Sequence, residues 1–166
     1  MRTRIYRAAV IAVAALSLAG CATLRLGSHT DSGVVWSKYK TFDWGPADAL
    51  PAGDARLDHD PVFRDRVEGA IEKAMAAHGF ERSARSERPD LLIHYHASIT
   101  ERLNVDAQRY ESSTLVVDVV DASTNVLMWR GWASGSVEGV LGNRHRLRRR
   151  IDNDVAGIFQ RLPQRD

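Results

Sequence analysis

His94 and His96 stand two residues apart in the run Leu91-Leu-Ile-His-Tyr-His-Ala-Ser-Ile99. Alternate residues of an extended strand share a face, so both imidazoles project to one side, together with Leu92 and Ser98. Two imidazoles at that spacing can hold a metal, and a catalytic zinc needs a third protein ligand. Asp118, in Leu115-Val-Val-Asp-Val-Val120, is the candidate for that third place. The plainer reading is a polar sheet face turned to solvent, and no metal site is assigned. Asp118 and Asp121 can also be assembled into the paired carboxylates of a hydrolase. Yet Asp121 opens Asp121-Ala-Ser-Thr-Asn125, where an aspartate ordinarily bonds its own turn. There is no Gly-x-Ser-x-Gly elbow and no glycine-rich phosphate loop, and Ser134-Gly-Ser136 reads as a strand exit. The chain is therefore expected to have no catalytic residues and no cofactor, and not to be an enzyme.

The strongest local charge signal is Arg144-His-Arg-Leu-Arg-Arg-Arg150. Positive charge at the start of a helix opposes the helix dipole, so the run does not serve the helix that follows. Arg144, Arg146, Arg148, Arg149 and Arg150 are candidate contacts to an anionic surface, such as membrane or lipopolysaccharide phosphates, or to an acidic partner. Against this stands a solvated helix face offset by Asp152 and Asp154. Of the four tryptophans, Trp129 and Trp132 differ by three on a strand and must face opposite sides, one to the core and the other a possible contact residue. Core packing is expected for most of the four, Trp36 and Trp44 included among them without distinction.

The beginning of the chain carries a different chemistry. Arg2, Arg4 and Arg7 precede an apolar stretch from Ala8 to Leu18, which is too short for a permanent membrane span and has the layout of a secretory signal. Leu18-Ala-Gly-Cys21 then resembles the lipobox of bacterial lipoproteins. That resemblance implies cleavage before Cys21, acylation of its thiol and new amine, and, since Ala22 is not the aspartate that retains such proteins in the inner membrane, the periplasmic face of the outer membrane. Several acyl chains on one residue make a firm anchor, each buried methylene contributing about 0.8 kcal/mol. Cys21 is the sole cysteine, so the fold must stand without an intramolecular disulfide.

Removing residues 1–20 leaves 146 residues, enough for one domain with a real core. It also removes three arginines, so 20 basic residues face 21 acidic ones and the precursor's net charge of +2 gives no argument for nucleic acid. Residues 21–33 read as the lipidated N-terminus and a small, polar tether, and 34–166 as a single periplasmic domain. Val34–Trp36 and Thr41–Trp44 read as short strands, and residues 45–60 as a loop. Asp60-Pro61 then caps a helix whose Phe63, Val67, Ala70, Ile71, Ala74 and Met75 form one apolar stripe, with Gly79 as its stop. A strand over 91–99, a polar connection over 101–113, and a hairpin of 115–120 with 126–133 follow. Leu147, Ile151, Val155, Ile158, Phe159 and Leu162 mark a final helix ended by Pro163. The simplest burial is an α+β domain: an antiparallel sheet of about five strands with two amphipathic helices on one face.

Several of these segments together resemble the domain-of-unknown-function 4136 family of bacterial lipoproteins. They are Tyr39-Lys-Thr-Phe-Asp-Trp44, His78-Gly-Phe80, Pro89-Asp-Leu-Leu-Ile-His-Tyr-His96, Thr114-Leu-Val-Val-Asp118 with Asp121, and Trp129-Arg-Gly-Trp-Ala133. The resemblance implies an envelope lipoprotein with a small α+β domain and supplies no activity. The expected role is a binding or envelope-assembly accessory, with the membrane as one partner through Cys21 and an envelope protein as a possible second. The alternatives are a carrier or sensor of a small apolar ligand, such as a lipid, and a metal-dependent envelope hydrolase. If Cys21 carries the anchor, Cys21→Ala moves the protein from the membrane pellet to the soluble fraction of lysed cells. Retention in the pellet at the native level would refute the anchor.

Overall fold

The long helix forms where its caps and its stripe agree. The computed structural model, which describes residues 24–46, 53–84 and 88–165, begins that helix at Pro61, with the Asp60 carboxylate accepting from the amides of Val62 and Phe63. Proline at the first position gives up an N–H that had no intrahelical partner. Phe63, Val67, Ile71 and Met75 are buried along one stripe. Gly79, at φ +82°, turns the chain out, and the Phe80 amide reaches back to the Met75 carbonyl.

In chain order the elements are β1 (Arg25–Thr30), a 3-10 turn (Trp36–Lys38), β2 (Thr41–Trp44), α1 (Ala55–Asp58), α2 (Pro61–Ala77), β3 (Glu81–Arg82), β4 (Leu91–Leu103), β5 (Arg109–Asp121), β6 (Leu127–Ser136) and α3 (Arg144–Phe159). The strands form one six-stranded sheet in the order β1-β6-β5-β4-β2-β3. β4, β5, β6 and β1 pair antiparallel, while β2 runs parallel to both β4 and β3. The sheet is therefore mixed, not antiparallel. The helices between β2 and β4 carry the chain back the length of the domain, so the two strands enter the sheet in the same direction.

Four further expectations need correction. Residues 25–30, read as part of a tether, are the edge strand β1. Its sequence is polar and carries little apolar alternation, because an edge strand is held mainly by its ladder to β6 and needs only Leu26 against the core. Val34–Trp36 is no strand but leads into the 3-10 turn. The loop over 45–60 contains α1, capped by the Asp54 side chain. The polar connection over 101–113 is the outer part of a long β4–β5 hairpin: its residues 101–109 are exposed on both faces, so no apolar alternation marks it as strand.

α2 and α3 pack on each other and on one face of the sheet, over Leu91, Ile93, Leu115, Val117, Val119 and Trp129. The end of the sheet opposite the outer β4–β5 hairpin is sewn by aspartates. Asp90 accepts from the amides of Lys40 (2.7 Å) and Thr41 (2.9 Å) and returns its own amide to Thr41 Oγ1 (3.0 Å), fastening the start of parallel β2 to β4. Asp121 accepts from the Ser123 amide and hydroxyl, the Thr124 amide and the Tyr39 hydroxyl. It is a turn residue, as its position in the sequence suggests.

These donors hold both carboxyls below the usual aspartate range, Asp90 mainly through the Lys40 amide and Asp121 mainly through the Ser123 hydroxyl. A carboxyl with a depressed folded pKa stabilises the fold fully above its unfolded value of about 3.9 and loses that contribution as pH falls through the folded value. Asp90→Ala and Asp121→Ala are each expected to cost about 1–3 kcal/mol at pH 7 by leaving the bonded amides and hydroxyls unmatched. In urea unfolding followed by tryptophan fluorescence, the gap between native and variant chains should narrow from pH 5 to pH 2. A gap independent of pH would contradict the assignment.

Candidate functional site

Strand alternation sends one set of side chains away from the helices, and the register lines them up in rows across the sheet. One row runs through His94, Asp118, Arg130 and His29, and the next through His96, Val116, Trp132 and Gly27. His94 and His96 share this face, as their spacing requires, and Asp118 lies directly opposite His94.

Asp118 is nevertheless not free to be a ligand. Both its oxygens accept from Arg130, Oδ1 from Nε and Oδ2 from Nη2, each at 2.6 Å. Its side chain is only 3% exposed, whereas that of Arg130 is 43% exposed. The fork geometry suits a bidentate pair, and a buried carboxylate demands such a partner. An aspartate inside an apolar strand was a signal for this cation. The hairpin register, which places residue 130 opposite residue 118, is what identifies it. Among the described residues, no three His, Cys, Asp or Glu side chains gather as a metal site would need.

The imidazole of His94 lies over Gly45 so closely that a Cβ there would sit 2.0 Å from its ring. Burial pushes its pKa down, against opposing pulls from Asp118 and a hydrogen bond to the Pro46 backbone. His94 is thus a packed ring whose burial favours its neutral form. Trp132 similarly lies over Gly27, where a Cβ would come within 2.2 Å of the indole. Half-buried and flanked by Val116, it presents its outer surface on the face away from the helices. Trp129 goes the other way and is fully buried against Phe159. Trp36 is buried at the edge of the core; Trp44 is half-buried, with its indole N–H donating to Glu72 at 3.2 Å.

The arginine run divides. Arg144, Arg146, Arg148 and Arg149 are exposed on the first turns of α3. Arg146 reaches back to the Gly139 carbonyl. Arg150 does not belong with the surface contacts: its Nε bonds both oxygens of Asp154 (2.7 and 2.8 Å), and its Nη1 donates to the Ser136 carbonyl at 2.7 Å. It is consumed in joining α3 to β6, because Asp154 is buried and needs a cation. Burial pushes the Asp154 carboxyl up, and Arg150 pulls it back. Asp152 pairs with Arg66 of α2. Asn143, rather than any charge, caps α3, accepting from the amides of His145 and Arg146. Cys21, with residues 1–20 read as a signal, lies outside the described residues.

The unequal exposure of Asp118 and Arg130 makes a test. Arg130→Met strands a buried carboxylate and should cost about 3–5 kcal/mol. Asp118→Asn leaves an arginine that can turn to water and should cost less than half of that. Equal losses in urea unfolding would contradict this account of the pair.

Curated protein sequences give no match to the chain. Solved structures do match its fold. A domain-of-unknown-function (DUF4136) family protein from Bacteroides thetaiotaomicron superposes with a TM-score of 0.54 at 13% identity, over 78% of this chain and 92% of that one. The PelC dodecamer from Paraburkholderia phytofirmans gives 0.51 at 12%, over 87% and 100%. A PDZ domain protein from Parabacteroides distasonis gives 0.52 at 16%, over 82% of this chain but only 35% of its own length. Identities this low speak for the fold alone. The profile of the domain of unknown function DUF4136 matches residues 27–164, from within β1 to beyond α3; the chain belongs to the DUF4136 family.

Proposed function

We propose that this chain is an outer-membrane-anchored periplasmic lipoprotein that serves as a binding or envelope-assembly accessory, not as an enzyme. The observation that carries the reading is the sheet face turned away from α2 and α3, where Trp132 is seated on Gly27 beside Val116. A rigid, half-exposed indole on a flat strand surface is what a protein interface uses as an anchor. The groups that catalysis would need are engaged in holding the fold: Asp118 by Arg130, Asp121 by its turn and Tyr39, and Asp154 by Arg150. The anchor itself rests on Leu18-Ala-Gly-Cys21, and no described helix is long and apolar enough to cross a membrane. PelC, similar in fold, was solved as a dodecamer, so in that protein the fold serves an assembly.

The second reading, a carrier of a small apolar ligand, requires space between sheet and helices. Among the described residues, one cavity there, lined by Leu57, Phe63, Leu115, Leu147 and Ile151, holds about 30 Å³, room for a water or two. An acyl chain does not fit it, which favours the protein partner.

Affinity purification of the full-length chain from crosslinked envelopes tests the reading. A stoichiometric partner is expected with the native protein, lost with Cys21→Ala and reduced about tenfold with Trp132→Ser, as for the loss of an interface anchor. Absence of a partner from every sample would count against an accessory role.

A further inference from the structure

The outer end of the β4–β5 hairpin is a projecting arm. β6 ends at Ser136, opposite Ser112, and the hairpin continues beyond it through the pairs Glu101–Glu111, Arg102–Tyr110 and Leu103–Arg109. Three pairs extend it by about 10 Å, with the turn beyond. The turn is tightly built. Asn104 Oδ1 accepts from the amides of Asp106 (2.9 Å) and Gln108 (2.8 Å), the Asn104 amide donates to the Gln108 carbonyl, and Ala107 sits at φ +56°. This much hydrogen bonding holds up a tip whose apolar side chains touch little. Val105 is 101% exposed and Leu103 64%. Neither serves the core, and a soluble tip of this kind is ordinarily polar.

Two other segments reach the same end of the molecule. Arg25, at the start of β1, pairs with Ser134, and Cys21 precedes it by four residues. α3 begins there as well: Arg150 bonds the Ser136 carbonyl, and the preceding turns carry the exposed Arg144, Arg148 and Arg149. None of these three has a described acidic partner. The carboxylates nearby are partly spent, Glu111 on Arg56 and Glu101 on Arg109, leaving Asp106 and Glu138.

We propose that this pole is a lipid-contacting surface, with Leu103 and Val105 entering the interface of a bilayer while Arg25, Arg144, Arg148 and Arg149 lie over its anionic headgroup phosphates. An apolar tip flanked by arginines matches the layering of such an interface, where apolar side chains and cations each contribute and neither alone suffices. The proposal rests on the membrane-anchored reading for its setting, since Arg25, four residues after Cys21 in the sequence, stands at this pole. It explains why the arginine run opposes its own helix dipole, and it orients the sheet face bearing Trp132 sideways, along the bilayer plane.

The test separates the two readings. Acylation is read by the mass of the peptide beginning at Cys21 in protein taken from envelopes. The pole is read on the mature chain from Ala22 onward, which contains every described strand and helix, using vesicles of phosphatidylglycerol with phosphatidylethanolamine and vesicles of phosphatidylcholine alone. Sedimentation with the anionic vesicles is expected at low salt. It should fall about tenfold in Leu103→Ser/Val105→Ser and about fivefold for each of Arg144, Arg148 and Arg149 changed to Gln. A fluorophore on Val105→Cys should be quenched by a lipid-borne shallow quencher, and one on Val126→Cys, beside the turn at the opposite end, should not. Because these side chains are exposed, unchanged circular dichroism is expected in every variant. No binding to anionic vesicles, equal binding by the tip variant, or equal quenching at both positions would overturn the proposal. So would shielding of the Val105 fluorophore by protein alone, which would make the tip a protein contact. An unacylated Cys21 with a quenched tip would overturn the anchor and leave the pole standing.

Discussion

A sheet with helices packed on only one of its faces has to finish the other face with its own side chains, and most features of this domain follow from that. The constraint is sharpest on the interior strand β5. Val117 and Val119 face the helices, while Asp118 between them points away, into a position only 2% exposed. A carboxylate so placed must be neutralised, and Arg130 does this from the adjacent strand with two short bonds while keeping part of its guanidinium in water. The flanking rings complete the surface. His94 lies over Gly45, just past the end of β2, and Trp132 lies over Gly27 of β1, each where the neighbouring backbone has no side chain. The uncovered face is thus a built layer of alternating polar and apolar rows.

The same division explains what several residues of the segments that carry the family resemblance do. Tyr39, Thr41, Asp90 and Asp121 bond one another's strands and turns at one end of the sheet. Phe42 and Leu91 fill the core behind them. Parallel β2 contributes four residues and is not joined to β4 by a tight turn, so it has little to fix its register besides these aspartate bonds. A motif with the residue types of a site is accordingly the fastening of a short parallel strand. Its carboxylates hold protons poorly because they are saturated with donors, which is the opposite of a general acid's requirement.

The two ends of the domain differ in kind. The end with Asp90 and Asp121 is saturated with internal bonds. The other carries the projecting arm, the start of β1 and the exposed arginines, whose polar and apolar groups are turned outward. Arg150 marks the border between the two treatments within one run of sequence. Its neighbours face water, while it is drawn in by a buried aspartate one helical turn later.

The sequence by itself determined the elements whose signals are local. The Asp60-Pro61 cap, the stripe from Phe63 to Met75, the Gly79 stop, the hairpin turn at Asp121 and the amphipathic face of α3 were all legible, because each depends on residues within a few positions of one another. It also determined that His94 and His96 share a face, and that Trp129 and Trp132 do not. Only the tertiary structure decided what depends on pairing across the sheet. β1 carries no apolar pattern, because an edge strand is recruited by backbone bonds to β6; the arm carries none, because water surrounds it. That β2 lies parallel to β4 follows from the path of the helices between them. The fates of Asp118 and Arg150 were set by where their partners fell, twelve residues away across a hairpin and one turn down a helix. The spacing of residue types shows which side chains could meet, and burial then decides which of them must.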